Sequence, residues 1–298
     1  MKTIKVNGLG TDVPKGSAFA IETSKFLPKL HQLSLYVGKR GSGKSVSMYN
    51  TILKFKEDNK CDRVLVISPT YNSNKQLFKK LDIQDEDVFD DVNDPELVSK
   101  IKDIVNAERD EYLEYHQKLK MYNYFVKKLS SKNAYIDDDE LLMFFNGQGF
   151  EKPTHKYNGR RPVIHLIVDD CQGSKLFMSR AFQNLIISHR HQGAFKDGGA
   201  IGISVYCCVQ NYRATGGGCP RYLRNNATTL FIFKSKDTAE LKDIQDECGG
   251  EVDEPTFYKV YNEAIKEPHD CLLIDLHPKE EYMRFRRNLD TFIIPQSE

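Results

Sequence analysis

The sequence predicts an α/β fold, with a mostly parallel central sheet and helices on both faces. Three observations carry that prediction. Short apolar runs rich in β-branched residues recur at Leu33–Val37, Arg63–Ile67, Pro162–Val168 and Ile201–Val209, as strands covered on both faces require. Helical patterns at Val46–Lys56 and 174–188 each follow one of these runs. The first run breaks into Gly38-x-x-x-x-Gly43-Lys44-Ser45 before its helix begins.

Strand, glycine-rich turn and helix are together the context that a phosphate-binding loop needs. Gly41 and Gly43 can take positive φ and bring backbone N–H groups close to an anion. The helix N-terminus adds partial positive charge. The residues Gly38, Lys39, Arg40, Gly41, Ser42, Gly43, Lys44, Ser45 and Val46 are therefore the expected nucleotide cradle. Lys44 would reach the β- and γ-phosphates, and the Ser45 hydroxyl would bind Mg²⁺.

The chain has 298 residues, enough for one large α/β domain carrying an insertion. Lys and Arg total 43 against 42 Asp and Glu, so any nucleic-acid surface must be a local patch. No apolar stretch approaches the ~18–20 residues of a membrane span. Met1-Lys-Thr-Ile-Lys-Val6 shows no signal-peptide core. The seven cysteines form no Cys-x-x-Cys pair, and Cys207-Cys208 fall inside an apolar run. A reducing compartment without structural zinc is expected.

Lys2–Val6 reads as a short edge strand, and Pro14, Gly16 and Pro28 punctuate the lead into the first buried strand. The acidic run Asp85, Glu86, Asp87, Asp90, Asp91 and Asp94 reads as solvated surface. From Pro95 a helical stripe runs through Leu97, Ile101, Val105, Tyr112, Tyr115, Leu119, Tyr122, Val126 and Leu129, with a polar break near Glu108. It is expected to pack on its own domain, the alternative being an inserted helical arm for a partner or for DNA. Residues 130–162 read as loop with a short helix near Glu140–Phe145.

The run ending at Val168 delivers Asp169 and Asp170 at its C-terminal end, the edge where open α/β sheets bind ligands. Asp169 would hold Mg²⁺ and Asp170 would polarise an attacking water, the two tasks that phosphate hydrolysis requires. His189 and His191 lack a third partner and are not read as a metal site. If the run Ile201–Val209 lies beside the Asp169 strand, Gln210 faces the γ-phosphate; otherwise it only caps a strand. Arg213, Arg221 and Arg224 make the following loop locally basic. A strand at Leu230–Phe233, helices at 237–248 and 255–266, and a terminal hairpin of Cys271–Asp275 with Tyr282–Arg286 complete the chain. Arg284, Arg286 and Arg287 would form a small basic face.

This order resembles the additional-strand P-loop ATPases of the FtsK/HerA type, and within them the genome-packaging ATPases of large double-stranded DNA viruses and virophages. The likeness rests on Gly38–Ser45, on Leu166-Ile-Val-Asp169-Asp170, and on Arg190-His191 before Ile203-Ser204. Gln210 and Leu223-Arg224-Asn225-Asn226-Ala227 complete it, over roughly residues 30–235. The resemblance implies one ATPase domain over 1–298, with a helical insertion at about 95–160 and a small C-terminal α/β extension at about 236–298. It implies an ATP- and Mg²⁺-dependent motor that pumps double-stranded DNA, most simply into a capsid. The motor would be a homo-oligomeric ring, pentamer or hexamer, with capsid vertex proteins as further partners and no membrane. Its place would be the host cytoplasm, a viral factory or the virion. Lys44 and Ser45 then match the Walker A pair, Asp169 and Asp170 the Walker B pair, and Gln210 the polar sensor. Arg190 and Arg224 are both candidates for an arginine donated across the ring, Arg190 the favoured one.

Other readings remain beside it. One is another DNA-pumping or helicase-like ATPase. A GTPase switch is suggested by Asp170-Cys-Gln-Gly173 and by Asn59-Lys60-Cys61-Asp62, but the second motif precedes the acidic strand instead of following it. A nucleotide kinase would use the Arg213–Arg224 loop as a lid, yet paired acids at a strand end favour water as nucleophile.

Overall fold

The computed structural model describes residues 21–130, 151–213, 218–250 and 252–295. The expected strand at Lys2–Val6 and the helix near Glu140–Phe145 lie outside them. Among the described residues, nine strands form one sheet in the order β3-β2-β4-β5-β1-β6-β7-β8-β9. They are β1 (Leu33–Val37), β2 (Arg63–Ile67), β3 (Val88–Phe89), β4 (Ile164–Val168), β5 (Ile203–Val209), β6 (Thr229–Phe233), β7 (Cys271–Asp275), β8 (Phe285–Arg287) and β9 (Thr291–Phe292). The first six in this numbering pair in parallel, and β7, β8 and β9 add an antiparallel flank beyond β6. The sheet is thus mostly parallel, and one strand, β5, separates the strand before the glycine turn from the strand before the two acids.

The principal helices are α1 (Lys44–Glu57), α2 (Leu97–Leu129), α3 (Arg180–Ile187), α4 (Arg221–Asn226), α5 (Thr238–Cys248) and α6 (Glu254–Ala264). Alternate strand residues point to opposite faces, because successive Cβ atoms do. Leu35, Leu65, Leu166 and Val205 pack with α2, α3, α5 and α6. Tyr36, Val66, Ile167 and Tyr206 pack with Met48, Tyr49 and Ile52 of α1 and with Tyr71 and Phe78. Both faces are therefore covered, which is why the strand sequences read as unbroken apolar runs.

One set of polar groups inside this core forms a relay. Tyr206 accepts from the Gln32 amide at 3.0 Å and donates to His165 Nδ1 at 2.8 Å, while His165 Nε2 donates to the Lys60 carbonyl at 2.7 Å. Burial pulls the His165 pKa down to about 4 and leaves the ring neutral, as this relay requires.

Several expectations are corrected. Asp87 is not solvated surface: it is buried, and Arg63 binds it with Nη2 at 2.6 Å and Nε at 3.0 Å. The polar break in the long stripe has the same cause. Glu108 of α2 is buried and accepts from Arg63 Nη1 at 2.8 Å and from Lys156 at 2.9 Å. Leu97, Val98, Ile101 and Val105 bury the first turns of α2, and Tyr115 and His116 meet the 155–160 segment around Gly159. Beyond them Phe125 is buried while Val126 and Leu129 of the expected stripe are exposed, so the later turns are covered along a different line from the one the spacing predicts. The helix expected at 174–188 is two pieces, Lys175–Met178 and α3, because Ser179 leaves helical geometry and caps α3 by accepting from the Phe182 N–H. Arg286 is no part of a basic face; it is buried against Asp275 and under the Phe292 ring.

Candidate nucleotide site

The glycine turn follows β1 at the C-terminal edge of the parallel strands. Gly41 and Gly43 have φ of 78° and 103°, the left-handed conformations that the sequence predicts there. Gly38 is needed for a different reason. A Cβ on it would lie 2.7 Å from Ser42 Oγ and 2.8 Å from Phe233 Cβ. Lys44 folds over the turn and donates to the carbonyls of Gly38 and Lys39. Burial lowers the Lys44 pKa, opposed by the Asp169 and Asp170 carboxylates.

The two acids reach this turn from two strands away. β4 and β5 pair Val168 with Cys207, and β5 and β1 pair Val209 with Val37, so β4 ends two residues short of the other two and Asp169 and Asp170 follow in that gap. The Ser45 hydroxyl donates to Asp169 Oδ2 at 2.8 Å. Asp169 is buried; Asp170 is exposed and left-handed at φ 54°, a geometry that turns the chain away at the strand end. Gln210 ends the strand between them, and the Gln172 side chain accepts from its backbone N–H. Arg40, Gly41, Gly43, Lys44, Ser45, Val46, Asp169, Asp170 and Gln210 line one cleft of 1570 Å³. A hydroxyl and a carboxylate side by side form an oxygen-only donor pair, which suits Mg²⁺.

The arginines lie elsewhere. Arg190 is exposed and lines a second cavity of 830 Å³ with Lys29, Gln32 and Thr228, at the opposite ends of the parallel strands. Arg224 is held by Glu247 at 2.9 Å and lies over the Tyr212 ring. Arg213 is paired with Asp243 and Glu247. The loop is therefore less basic than its sequence suggests, since Arg213 and Arg224 are paired with acids while Arg221 is exposed and in none of these pairs.

The sequence reading missed the far wall of the cleft, made by Thr70 after β2 and by Pro268, His269, Asp270 and Asn288 beside β7. Only the antiparallel return of β7 places that last group there, and no local motif marks it.

No protein-family model matches the chain. A comparison with curated proteins also finds no match. Among solved structures, the chain is similar to the genome packaging NTPase B204 from Sulfolobus turreted icosahedral virus 2 in complex with ATP-gammaS. That match has 13% identity and a TM-score of 0.45, covering 86% of this chain and 96% of that one. EssC (ATPases 2 and 3) from Geobacillus thermodenitrificans matches at 14% identity and a TM-score of 0.42, over 90% of this chain and 40% of that one. The pCW3 conjugation coupling protein TcpA matches at 16% identity and a TM-score of 0.41, over 82% and 58%.

Proposed function

We propose that this chain is an Mg²⁺-dependent ATPase that works as a ring-shaped motor on double-stranded DNA, in genome packaging. The observation that carries the ATPase reading is the 2.8 Å contact between Ser45 and Asp169, at the mouth of a glycine turn with the required positive φ angles. Ser45 and Asp169 would hold Mg²⁺, which when bound neutralises phosphate charge. The turn from Gly38 to Val46 binds the phosphates and Lys44 neutralises their oxygens. Asp170 orients and deprotonates the attacking water, and Gln210 reports on the γ-phosphate from the strand between.

Arg190 is the better candidate for a residue given to a neighbouring subunit. It is exposed and remote from its own cleft, whereas Arg224 would first have to leave Glu247. The DNA part of the proposal rests on the sequence resemblance and on Arg221, since Arg213 and Arg224 are engaged by acids. One domain with a helical insertion at about 95–160 and an extension at about 236–298 accommodates these parts. Capsid vertex proteins and a host-cytoplasmic, factory or virion location belong to the packaging version. Among the described residues no helix is long and apolar enough to cross a membrane. The GTPase alternative loses its base-reading residue: Asp62 is bound by Arg160 at 2.7 Å and by the Val163 N–H at 2.8 Å.

The deciding experiment measures phosphate release from ATP and GTP, with and without duplex DNA at low salt, alongside oligomer mass. ATP turnover that rises with DNA, in an assembly larger than a dimer, supports the motor. DNA-independent turnover by a monomer refutes it and leaves a plain ATPase. Lys44→Ala should abolish nucleotide binding, and full activity in that variant refutes the site itself.

A further inference from the structure

The sheet order fixes which way a nucleotide would lie. β4, with Asp169 and Asp170 at its end, is two strands from β1 on one flank. β7 is two strands from β1 on the other flank, and because it runs antiparallel its first residue, Cys271, pairs with the last residue of β6, Phe233. The segment before β7 therefore rises at the same edge as the glycine turn, opposite the acids. Its middle residue, His269, lies against the turn: a Cβ on Gly43 would sit 3.1 Å from His269 Cβ and 3.5 Å from its Nδ1.

This rim is rigidly built. His269 is left-handed at φ 70°, and Asn288, after β8, is left-handed at φ 54°. Asn288 donates to Asp270 Oδ1 at 2.7 Å and accepts from the Cys271 N–H at 3.2 Å. Side chains in sparsely populated backbone conformations persist where surroundings over-determine them, commonly at ligand clamps. Asn50 of α1 and Leu289 continue the same cleft wall.

We propose that His269 presents its ring to the nucleoside of the bound nucleotide, and that Pro268–Asp270, locked by Asn288, is the nucleoside wall of the site. The inference rests on the nucleotide-binding reading. The acids mark the γ-phosphate end, so base and ribose leave by the other flank, where this rim stands. An aromatic face against a base discriminates a nucleotide from its bare phosphate chain.

The test compares calorimetric binding of ATP and of inorganic tripolyphosphate, each with Mg²⁺, to the full chain. His269→Asn and His269→Gly both tolerate the left-handed backbone, so loss of the fold is not expected to obscure the result. The expected result is that ATP weakens about ten-fold in both variants, the size of one lost base-stacking contact, while tripolyphosphate binding is unchanged. His269→Phe should retain ATP binding. Undiminished ATP binding in His269→Asn overturns the proposal, as does an equal loss for both ligands, which would make His269 a support for Gly43 alone. Wild-type protein that binds tripolyphosphate as tightly as ATP overturns this inference and spares the phosphate site. Wild-type protein that binds neither overturns both.

Discussion

Replacing Arg63 with Ala should cost this fold more than any exposed ion pair could. Arg63 fastens three segments: β2, which carries it, the 85–87 turn through Asp87, and α2 through Glu108. Its removal leaves the Asp87 carboxylate, 1% exposed, with no cation in contact. Breaking a buried pair by deleting one partner costs about 3–5 kcal/mol, because the remaining charge keeps its desolvation penalty. Glu108 suffers less, because Lys156 stays at 2.9 Å. The expected loss is therefore about 3–5 kcal/mol, dominated by Asp87. Burial already pushes the Asp87 carboxyl above its ordinary value, opposed by Arg63. Without Arg63 the shift grows. A carboxyl whose folded pKa is raised favours the folded state at low pH and disfavours it as pH rises through that pKa. The deficit of Arg63→Ala should thus be largest at neutral pH and shrink in acid. Urea unfolding of both proteins across that range measures it. A loss below about 1 kcal/mol, the exposed-pair range, or a deficit that ignores pH, would refute the reasoning.

Three further outcomes follow from other parts of the molecule. Gly38→Ala should lose nucleotide affinity and cost about 1–3 kcal/mol through overpacking against Ser42 and Phe233; an unchanged affinity would show that the turn yields there. His165 titrates at about 4 in the fold against 6.5 unfolded, so its contribution is intact above 6.5 and is lost as pH falls through about 4. That drop corresponds to about 3 kcal/mol of acid destabilisation, which His165→Gln should remove from the pH profile; identical profiles would refute the assignment. Arg190→Ala mixed with wild type should lower turnover by more than its share if the arginine serves a neighbour, and a strictly proportional fall would exclude that role.

The strands β1 and β2 were legible to the residue because both of their faces are buried, which leaves no polar alternation to blur them. β3 was not, since two residues carry no period; the Arg63–Asp87 pair that marks its approach is a long-range contact. The glycine turn and the two acids could be read because strand ends put their chemistry next to apolar runs. His269 could not, because its place depends on β7 joining the main sheet antiparallel, which no local pattern specifies. For α2 the period announced a helix and was silent about what would cover its later turns. Arg286 and Asp87 misled for one reason: charge in a sequence reads as surface until its partner, far along the chain, is known.

The uneven seating of α2 has a mechanical consequence. Its root is clamped by Arg63 and Lys156 through Glu108, a hydrogen bond from His116 to the Gly159 carbonyl holds it two turns on, and Phe125 is buried further along. The thirteen residues from Gln117 to Leu129 then run on as a rod of about 20 Å, at 1.5 Å per residue. Because β2 holds the clamp and its last residue pairs with the residue before the acids, a shift of that strand would be passed along α2 to the turn where Phe125 is buried.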